Sequence, residues 1–479
     1  MCSYNNLISS IGVVTRNRPD CLQRCVASYA AATRADGRVV RFVVTDDSDE
    51  QRADQNLSLL RELSATHNVP IWYAGAQEKQ QFIAKLVEAG VQANTVLFAL
   101  NGDDSILKRT GANRNMVYLQ TLGEQVLCVD DDTVCRVVQA PESTDAVALR
   151  SVDPYELWFF ENRQASLAAL PEQSTDLLAA HERFLGQRLG DVTPISAYAE
   201  HRVLATYSSL MGDCCWSSNA RYITTGGATH ARLIRSEEAY HRARASREVL
   251  LAVTQPTVSV NPVFCMTYSA SFDHRQLLPP FMPVGSNQDR LFGKMLKLCY
   301  VDGAFAYVPQ AILHAPPGER TFQVGYAGQA GLNAIIIALL QNYRFQQDEV
   351  LPEQRMVALG SYLCQIARLP LAEFQEMIRS IVHQGMRATI EQLEAWLEER
   401  GHTPAFWASD LCQHIERLRR FVDTFEAPID LLNVAGSRQA NLQAQLTIGR
   451  FGELLQAWPA LVQATQSLAA QGHHLARLL

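Results

Sequence analysis

Residues 111–135 read GANRNMVYLQTLGEQVLCVDDDTVC, an order of basic helix, apolar strand and acidic tip. The apolar run at residues 126–129 leads directly into three consecutive aspartates, Asp130, Asp131 and Asp132. The run is too short for a helix and does not alternate with polar residues, which is typical of a strand buried in a parallel sheet. Ligands bind in the crevice beyond the carboxyl ends of such strands. We therefore expect the aspartates to lie at a binding crevice.

The spacing of the aspartates predicts a cation site. In an extended chain, residues two apart point the same way, so Asp130 and Asp132 are expected to converge while Asp131 faces elsewhere. Carboxylates acting together with substrate phosphates are the usual ligands of Mg2+ or Mn2+. A solvated acidic turn is the alternative, and a bare DxD pattern does not exclude it. The neighbouring segments must decide between the two.

Strand-like and helix-like segments alternate over the first 150 residues. The predicted strands lie at residues 7–14, 39–44, 69–73 and 126–129, and the predicted helices at 18–32, 55–66, 80–89 and from 111 onward. This alternation predicts an α/β fold, with a parallel sheet between two layers of helices.

The later part of the chain predicts a different organisation. A helix is expected at residues 175–189, a strand at 304–308, and a long loop at 208–227, which is rich in Ser, Gly, Cys and Asn. Helical periodicity then recurs at residues 353–369, 371–386, 389–399, 407–425 and 442–457. We expect a domain over residues 1–330, with a donor half to about 150 and an acceptor half from 151, followed by an all-helical domain over 331–479.

Composition narrows the functional class. The 479 residues include 42 basic and 49 acidic side chains, and the net charge of −7 argues against nucleic-acid binding. No apolar run approaches the ~20 residues of a membrane span, and the N-terminal sequence does not resemble a signal peptide. The eleven cysteines show no disulfide framework, so we expect reduced thiols and a cytoplasmic location. The adjacent Cys214 and Cys215 do not have the spacing of a zinc site.

Polar residues follow the first two predicted strands. Thr15, Arg16 and Arg18 form a strand-to-helix loop, where backbone donors and the helix dipole favour a phosphate or a nucleobase carbonyl. Asp46 and Asp47 follow the second strand, where a carboxylate can accept hydrogen bonds from ribose hydroxyls. An ordinary polar loop and a solvated acidic cluster are the respective alternatives.

Three residues open the helix before the triple aspartate, namely Gly111, Arg114 and Asn115. The guanidinium of Arg114 can hold a diphosphate in fork geometry, or it can pair with a local carboxylate.

Four segments together resemble the nucleotide-binding half of GT-A fold glycosyltransferases, especially those of family 2. They are IGVVTRNRPDCLQRCVASY at 11–29, VVTDDSD at 43–49, GANRNMVYLQTLGE at 111–124 and VLCVDDDTVC at 126–135. The resemblance covers roughly residues 8–136 and is looser beyond them. It implies a GT-A type, Rossmann-like sheet and a nucleotide diphosphate sugar as donor.

The resemblance also implies roles for individual residues. Candidate contacts to the donor are Thr15, Arg16, Arg18, Asp46, Asp47, Gly111, Arg114, Asn115 and Asp131, and candidate metal ligands are Asp130, Asp132 and His314. The segment QDRLFG at 288–293 is similar to the (E/Q)DxxFG pattern of the acceptor helix in these enzymes. By that likeness Asp289 is the general base and Gln288 lies beside the acceptor. A helix-dipole carboxylate and a loop histidine are the alternatives for Asp289 and His314.

The expected function is an inverting, metal-dependent transfer of sugar from a nucleotide diphosphate donor, with UDP expected as the nucleotide. The acceptor is an unidentified peptide, small molecule or glycan. Trp216 lies in the predicted loop at 208–227 and is expected to stack on a sugar or nucleobase. The loop itself is expected to cover the donor as a lid. The QxxRW motif of processive synthases is absent, which argues against polymerisation. A silent sugar-nucleotide-binding scaffold and a nucleotidyltransferase are the alternatives, although TRNRP lacks the glycine that nucleotidyltransfer would need. The C-terminal helices are candidates for homo-oligomer contacts.

Overall fold

The structure is a computed structural model that describes residues 8–103, 105–106, 108–194, 198–261, 264–323, 331–424 and 437–479. Its strands are β1 (Ser10–Thr15), β2 (Arg41–Asp46), β3 (Ile71–Ala74), β4 (Gln125–Asp130), β5 (Thr133–Val138), β6 (Ala148–Leu149), β7 (Glu156–Phe159), β8 (Arg202–Asp213), β9 (Glu248–Ala252), β10 (Thr257–Ser259), β11 (Ser269–Asp273), β12 (Gly303–His314) and β13 (Arg477–Leu478). The helices of the sheet region are α1 (Pro19–Ala35), α2 (Glu50–His67), α3 (Ala76–Glu88), α4 (Ala93–Asn101), α5 (Thr110–Gln120), α6 (Arg163–Ala169), α7 (Leu177–Glu182), α8 (Leu189–Val192), α9 (Ala220–Ile223), α10 (Gly227–Leu233), α11 (Glu237–Ala245) and α12 (Gln288–Cys299). The C-terminal helices are α13 (Leu332–Asn342), α14 (Pro352–Ala367), α15 (Leu371–Glu399), α16 (Ala405–Thr424) and α17 (Ser437–Ala470).

The α/β class is confirmed, and the predicted parallel strands are present. β3, β2, β1 and β4 are neighbours in that order, and all of them run parallel. The sheet as a whole is mixed, because β11 runs antiparallel to both β4 and β8. The four strands from which a parallel sheet was predicted are thus parallel, and the antiparallel pairing begins at β11, beyond them.

Helices cover both faces of the parallel strands, as the three-layer prediction requires. Along β4, Leu127 and Val129 pack into the apolar cluster that contains α1 and α2, whereas Val126 and Cys128 pack into the cluster that contains α3, α4 and α5. Gly12 of β1 allows α5 to approach closely, because a Cβ atom there would overlap the side chain of Val117. A strand buried on both faces explains why the sequence of β4 does not alternate.

The predicted loop at residues 208–227 was wrong for its first six residues. They form the end of β8, which is hydrogen-bonded to β9, β11 and β12 and is buried. Ser208 contributes its hydroxyl to buried hydrogen bonds with His181 and Ser269, so a small polar residue belongs inside this sheet. Small residues suit a crowded central strand as well as a loop.

Other predicted boundaries shifted. The helix expected at residues 175–189 is reduced to the short α7, and the two helices expected at 371–386 and 389–399 are one continuous helix, α15. The strand expected at 304–308 lies within the longer β12, and the helix at 442–457 lies within α17. Residue 7 of the first predicted strand and residue 425 of a predicted helix lie outside the described residues.

The C-terminal helices pack directly on the sheet region. Trp458 of α17 donates to the carbonyl oxygen of Leu278 at 2.8 Å and stacks on Tyr118 of α5 at 5.7 Å between ring centroids. Trp407 of α16 donates to the carbonyl oxygen of Ile223 at 3.1 Å. Both indoles are fully buried and belong to the core. The predicted domain boundary at residue 330 lies outside the described residues and stays a prediction.

Within the described residues, no helix combines the length and the apolar character that crossing a bilayer requires.

Because two histidines are buried, we expect the protein to become less stable toward unfolding in acid. Burial lowers the pKa of His181 and of His274 from 6.5 to about 3, so the fold holds both rings neutral. Their contribution is present above pH 6.5 and is lost as the pH falls from there toward 3, at about 1.4 kcal/mol per pKa unit. We expect Tm to fall between pH 7 and pH 5, and to fall less steeply in His274→Gln, as thermal unfolding followed by circular dichroism would show. Parallel pH profiles for the two proteins would contradict this assignment.

Candidate functional site

A cleft of about 1370 Å3 lies where the strands end, and it collects residues from distant parts of the sequence. Asp130 is the last residue of β4, His314 is the last residue of β12, and Asp289 lies in the first turn of α12. Six of the residues selected from the sequence line this cleft, namely Asp130, Asp132, Trp216, Gln288, Asp289 and His314. The parallel strands and the register of β12 bring them together.

Asp130 is positioned by a buried arginine. Nη2 of Arg114 lies 2.6 Å from Oδ1 of Asp130, and Nη1 of Arg114 donates to the carbonyl oxygen of Thr267 at 3.1 Å. Arg114 is 5% exposed and does not itself line the cleft, whereas the Asp130 side chain is 27% exposed. Burial raises the pKa of Asp130, opposed by the charge of Arg114. Of the two roles expected for Arg114, pairing with a local carboxylate is therefore the one that the structure contains.

Asp131 is fully buried and points away from the cleft, as the two-residue spacing predicts. Its carboxylate accepts a hydrogen bond from Oγ1 of Thr15 at 2.7 Å and lies 2.5 Å from Nη2 of Arg18. Burial raises the pKa of Asp131 to about 7 against the opposing charge of Arg18. Asp131 and Thr15 thus fix the junction of β1 and β4, and neither contributes to the lining of the cleft.

Asp132 is the most strongly paired acid of the site. Its carboxylate lies 2.7 Å from Nη1 of Arg18, 3.4 Å from Nε2 of His314 and 4.0 Å from Nη2 of Arg320. Burial alone would raise the pKa of Asp132, but His314 and the two arginines outweigh burial and hold this pKa below its usual range. Asp132 therefore stays ionised at the floor of the cleft.

His314 completes this group. Its Nδ1 lies 2.7 Å from the carbonyl oxygen of Asp213, which orients the ring and directs Nε2 toward Asp132. Burial lowers the pKa of His314, but Cys215 and Asp132 more than compensate and raise it well above 6.5. The distance of 3.4 Å between Nε2 of His314 and Oδ1 of Asp132 suits two ligands of one cation, which are roughly 3.0 to 3.4 Å apart when each bond is about 2.1 Å.

Asp289 faces the same cleft from α12. Burial raises the pKa of this carboxyl above 3.8, while the nearby charge of Arg114 opposes the shift. Asn287 precedes the helix in a left-handed conformation with a φ of 62°, which places Gln288 and Asp289 at the cleft wall. A carboxylate with a raised pKa is suited to accept a proton.

The two carboxylates at the end of β2 form hydrogen bonds and ion pairs with other residues of the protein. Asp46 is 2% exposed and accepts hydrogen bonds from the amide of Asn56 at 2.9 Å, from the hydroxyl of Tyr73 at 3.0 Å and from the backbone of Ser48 at 2.8 Å. Asp46 is therefore buried and hydrogen-bonded within the protein, whereas the predicted contact to a nucleoside would require an accessible carboxylate. Asn56 and Tyr73 are distant in sequence, so the pattern around Asp46 does not reveal them.

Asp47 is the centre of a basic group at the sheet edge. It lies 3.1 Å from Arg109, 3.4 Å from Lys79 and 4.0 Å from Arg16. Burial lowers the pKa of Lys79, and the charge of Asp47 opposes this shift. Arg16 and Asp47, both selected as contacts to the donor, therefore lie beside each other, and neither is among the residues that line the large cleft.

Two residues chosen as donor contacts serve packing instead. Asn115 is fully buried, donates to the carbonyl oxygens of Ala99 and Phe281 at 3.0 Å each, and accepts from the backbone N–H of Phe281 at 2.8 Å. Gly111 lies against the backbone of Met282, where a Cβ atom would overlap the carbonyl oxygen. The glycine and the asparagine therefore let α5 pack against the segment before α12.

Gly111→Ala is expected to destabilise the protein, because the new methyl group meets backbone that cannot rotate away. Overpacking of this kind costs about 1–3 kcal/mol. Gly385, in the middle of α15, has no atom within 4 Å of a built Cβ atom, so Gly385→Ala is the matched control and should keep or raise Tm. Differential scanning calorimetry of both variants tests the assignment, and an unchanged Tm for Gly111→Ala would refute it.

Arg18 was selected as a contact to the donor, and in the structure it bridges Asp131 and Asp132. Two residues beside His314 were not selected: Asp213 is the last residue of β8, and Cys215 lies just beyond it. Asp213 and Cys215 could have been found as polar residues at the carboxyl end of a buried strand. They were missed because β8 was predicted to be a loop.

Trp216 lines the cleft, but part of its surface is already covered. The guanidinium of Arg221 lies 4.5 Å from the ring centroid of Trp216 and 4.5 Å from that of Phe264, and it pairs with Asp153 at 2.5 Å. Because β8 extends to Asp213, the expected lid is limited to the residues that follow it. Nη1 of Arg247 donates a hydrogen bond to the main-chain oxygen of Trp216 at 2.5 Å.

Comparison with known proteins does not assign this chain to a family. No model of a known protein family matches the chain, and no curated protein matches it significantly.

Proposed function

We propose that this protein is a metal-dependent glycosyltransferase of the GT-A type, which transfers a sugar from a UDP-linked donor to an acceptor by inversion. One observation carries the proposal: the pair Asp130 and Asp132, together with Asp289 and His314, comes from three separate parts of the sequence and lines a single cleft at the ends of the strands. The order of β3, β2, β1 and β4 agrees with the Rossmann-like half that the resemblance implies. The acceptor remains a peptide, a small molecule or a glycan.

Asp130, Asp132 and His314 would hold Mn2+ or Mg2+. Two carboxylates and an imidazole fit such a cation in donor type, and the spacing of Asp132 and His314 fits it in distance. When bound, the cation would neutralise the departing diphosphate as a Lewis acid. Arg114 and Arg18 would keep the two carboxylates in place, because each arginine pairs with one of them from outside the cleft.

Cations on the cleft wall support a donor with a diphosphate. Lys108 and Arg290 line the cleft, and neither forms an ion pair with any residue in the described part of the chain. Lys108 donates to the hydroxyl of Ser286 at 2.9 Å, next to the start of α12. Basic side chains without carboxylate partners favour an anionic ligand.

Asp289 would act as the general base. It would take the proton of an acceptor hydroxyl or thiol while that atom forms its bond to the anomeric carbon and the bond to the diphosphate oxygen breaks. A single displacement of this kind inverts the anomeric centre. A positioned base contributes about 10²- to 10⁴-fold to such a step.

Turnover of UDP-sugars by the purified chain tests the proposal. UDP release should require Mn2+ or Mg2+, stop with a chelator and occur with at least one donor, either as transfer or as slow hydrolysis. If UDP binds tightly but no donor is turned over under any of these conditions, the scaffold alternative is correct. Release of pyrophosphate from a nucleoside triphosphate would support the nucleotidyltransferase instead.

A further inference from the structure

Three side chains with different donor atoms meet where β8 and β12 end. Asp213, Cys215 and His314 each offer one ligand atom, and these oxygen, sulfur and nitrogen atoms all lie within 4.8 Å of one another. β8 and β12 run parallel, with Gly212 opposite His314, so their ends leave the sheet side by side. Backbone pairing therefore holds the group together, independently of the cleft around it.

His314 is oriented as a metal-binding histidine is. Its Nδ1 is held by the carbonyl oxygen of Asp213 at 2.7 Å, which leaves Nε2 for a ligand. A hydrogen bond of this kind to the second ring nitrogen fixes the ring and raises the basicity of the first.

Asp213 is held in place and retains capacity to bind. Arg247 donates to its two carboxylate oxygens at 2.7 and 2.8 Å, and the backbone N–H of Cys215 donates to Oδ1 at 2.8 Å. A carboxylate has about four lone-pair positions, so one on Oδ2 stays available.

Cys215 is the exposed member, and it lines the cleft. Its Sγ lies 3.4 Å from Nδ1 and 3.5 Å from Nε2 of His314, over the ring, so a rotation about the Cα–Cβ bond would bring Sγ toward Nε2. The backbone at Cys215 is left-handed, with a φ of 63°, which is unusual for a residue other than glycine. Such conformations persist only where the surrounding structure imposes them and are common at functional sites.

We propose that Asp213, Cys215 and His314 form a binding site for a thiophilic divalent cation, such as Zn2+. Thiolate and imidazole select Zn2+ or Co2+ over Mg2+, which prefers oxygen ligands. Three protein ligands with the fourth position open to the cleft is the arrangement of an accessible zinc site. The site does not depend on the proposed glycosyltransferase activity, but it uses the same imidazole as Asp132. Zn2+ bound at this site would therefore compete for His314 with Mn2+ or Mg2+ bound at Asp130 and Asp132.

Titration of the reduced, full-length protein with Co2+ tests the site without any nucleotide. The wild type should develop the thiolate-to-Co2+ charge-transfer band, and Zn2+ should displace it. Cys215→Ser should lose the band and bind Zn2+ at least about 100-fold more weakly, because even supporting residues of metal sites contribute 10- to 100-fold. Cys412→Ser replaces another exposed cysteine, on α16, and should keep the band.

The outcomes separate this site from the proposed function. Asp130→Asn should keep the Co2+ band, because Asp130 is not one of the three ligands. A band that persists in Cys215→Ser, or its absence from the wild type, would overturn the proposal. Neither result bears on UDP-sugar turnover, which is measured separately with Mg2+.

Discussion

Asp289→Asn should lower the rate of sugar transfer by about 10²- to 10⁴-fold, because the acceptor would lose the base that takes its proton. Binding of UDP and Mn2+ should be retained, since neither depends on this carboxylate. The wild-type rate should also fall in acid, because a base works only when deprotonated and burial raises the pKa of Asp289 above 3.8. Steady-state transfer assays across pH, together with calorimetric titration of UDP, measure both effects.

Asp302→Asn is a suitable control for this variant. Asp302 is an exposed acid just before β12, and it does not line the cleft. Its replacement should change neither the rate nor the pH profile. Transfer by Asp289→Asn at the wild-type rate would assign Asp289 to the alternative role, a carboxylate that stabilises the first turn of α12.

Asp132→Asn should abolish metal-dependent binding of the nucleotide. The substitution removes a charged ligand. It also removes the negative charge that lies 2.7 Å from Arg18 and 3.4 Å from His314, so that, within the described residues, Arg18 keeps only Asp131 as an ion-pair partner. Loss of one member of a buried charged group costs about 3–5 kcal/mol, so Tm should fall as well. Equilibrium titration with Mn2+ and thermal unfolding report the two losses independently.

Asp131→Asn separates stability from metal binding. Asp131 shares Arg18 with Asp132, at 2.5 Å, but it is fully buried and does not line the cleft. This control should also lose stability, yet it should still bind Mn2+ and UDP. Equal loss of metal binding in both variants would show that the effect is general unfolding of the triple-aspartate turn.

The parallel half of the sheet was predictable because local pattern and tertiary structure agree there. An apolar run without alternation requires burial on both faces, and β4 is buried on both. The rule that strands carry ligands at their carboxyl ends then placed Asp130 and Asp132 at the cleft. The expectation failed at β8, where Ser208, Ser209 and Gly212 look like a loop but fill a crowded central strand.

The partners of buried polar groups were not predictable. Asp46 looks like a ligand-binding acid until Asn56 and Tyr73 are seen to satisfy it. Nothing local in the sequence encodes these contacts, because they depend on how α2 and β3 pack beside β2. The same holds for Cys215, whose relation to His314 spans 99 residues.

Helical periodicity located the C-terminal helices but not their neighbours. A helix with an apolar face can pack on a sheet, on another helix or on a second chain, and the pattern is the same in each case. The buried indoles of Trp407 and Trp458 donate to carbonyl oxygens of the sheet region, so these two helices pack on that region. Contacts between copies of the chain remain a prediction for the other faces.

Calorimetric titration of UDP in the presence and absence of Mn2+ tests the central claim most directly. The wild type should bind UDP with Mn2+ and lose this binding when a chelator is added, and Asp132→Asn should show no metal-dependent binding while Asp131→Asn retains it. UDP binding that is indifferent to Mn2+, or that is unchanged in Asp132→Asn, would contradict the assignment of this cleft as a metal-dependent nucleotide-sugar site.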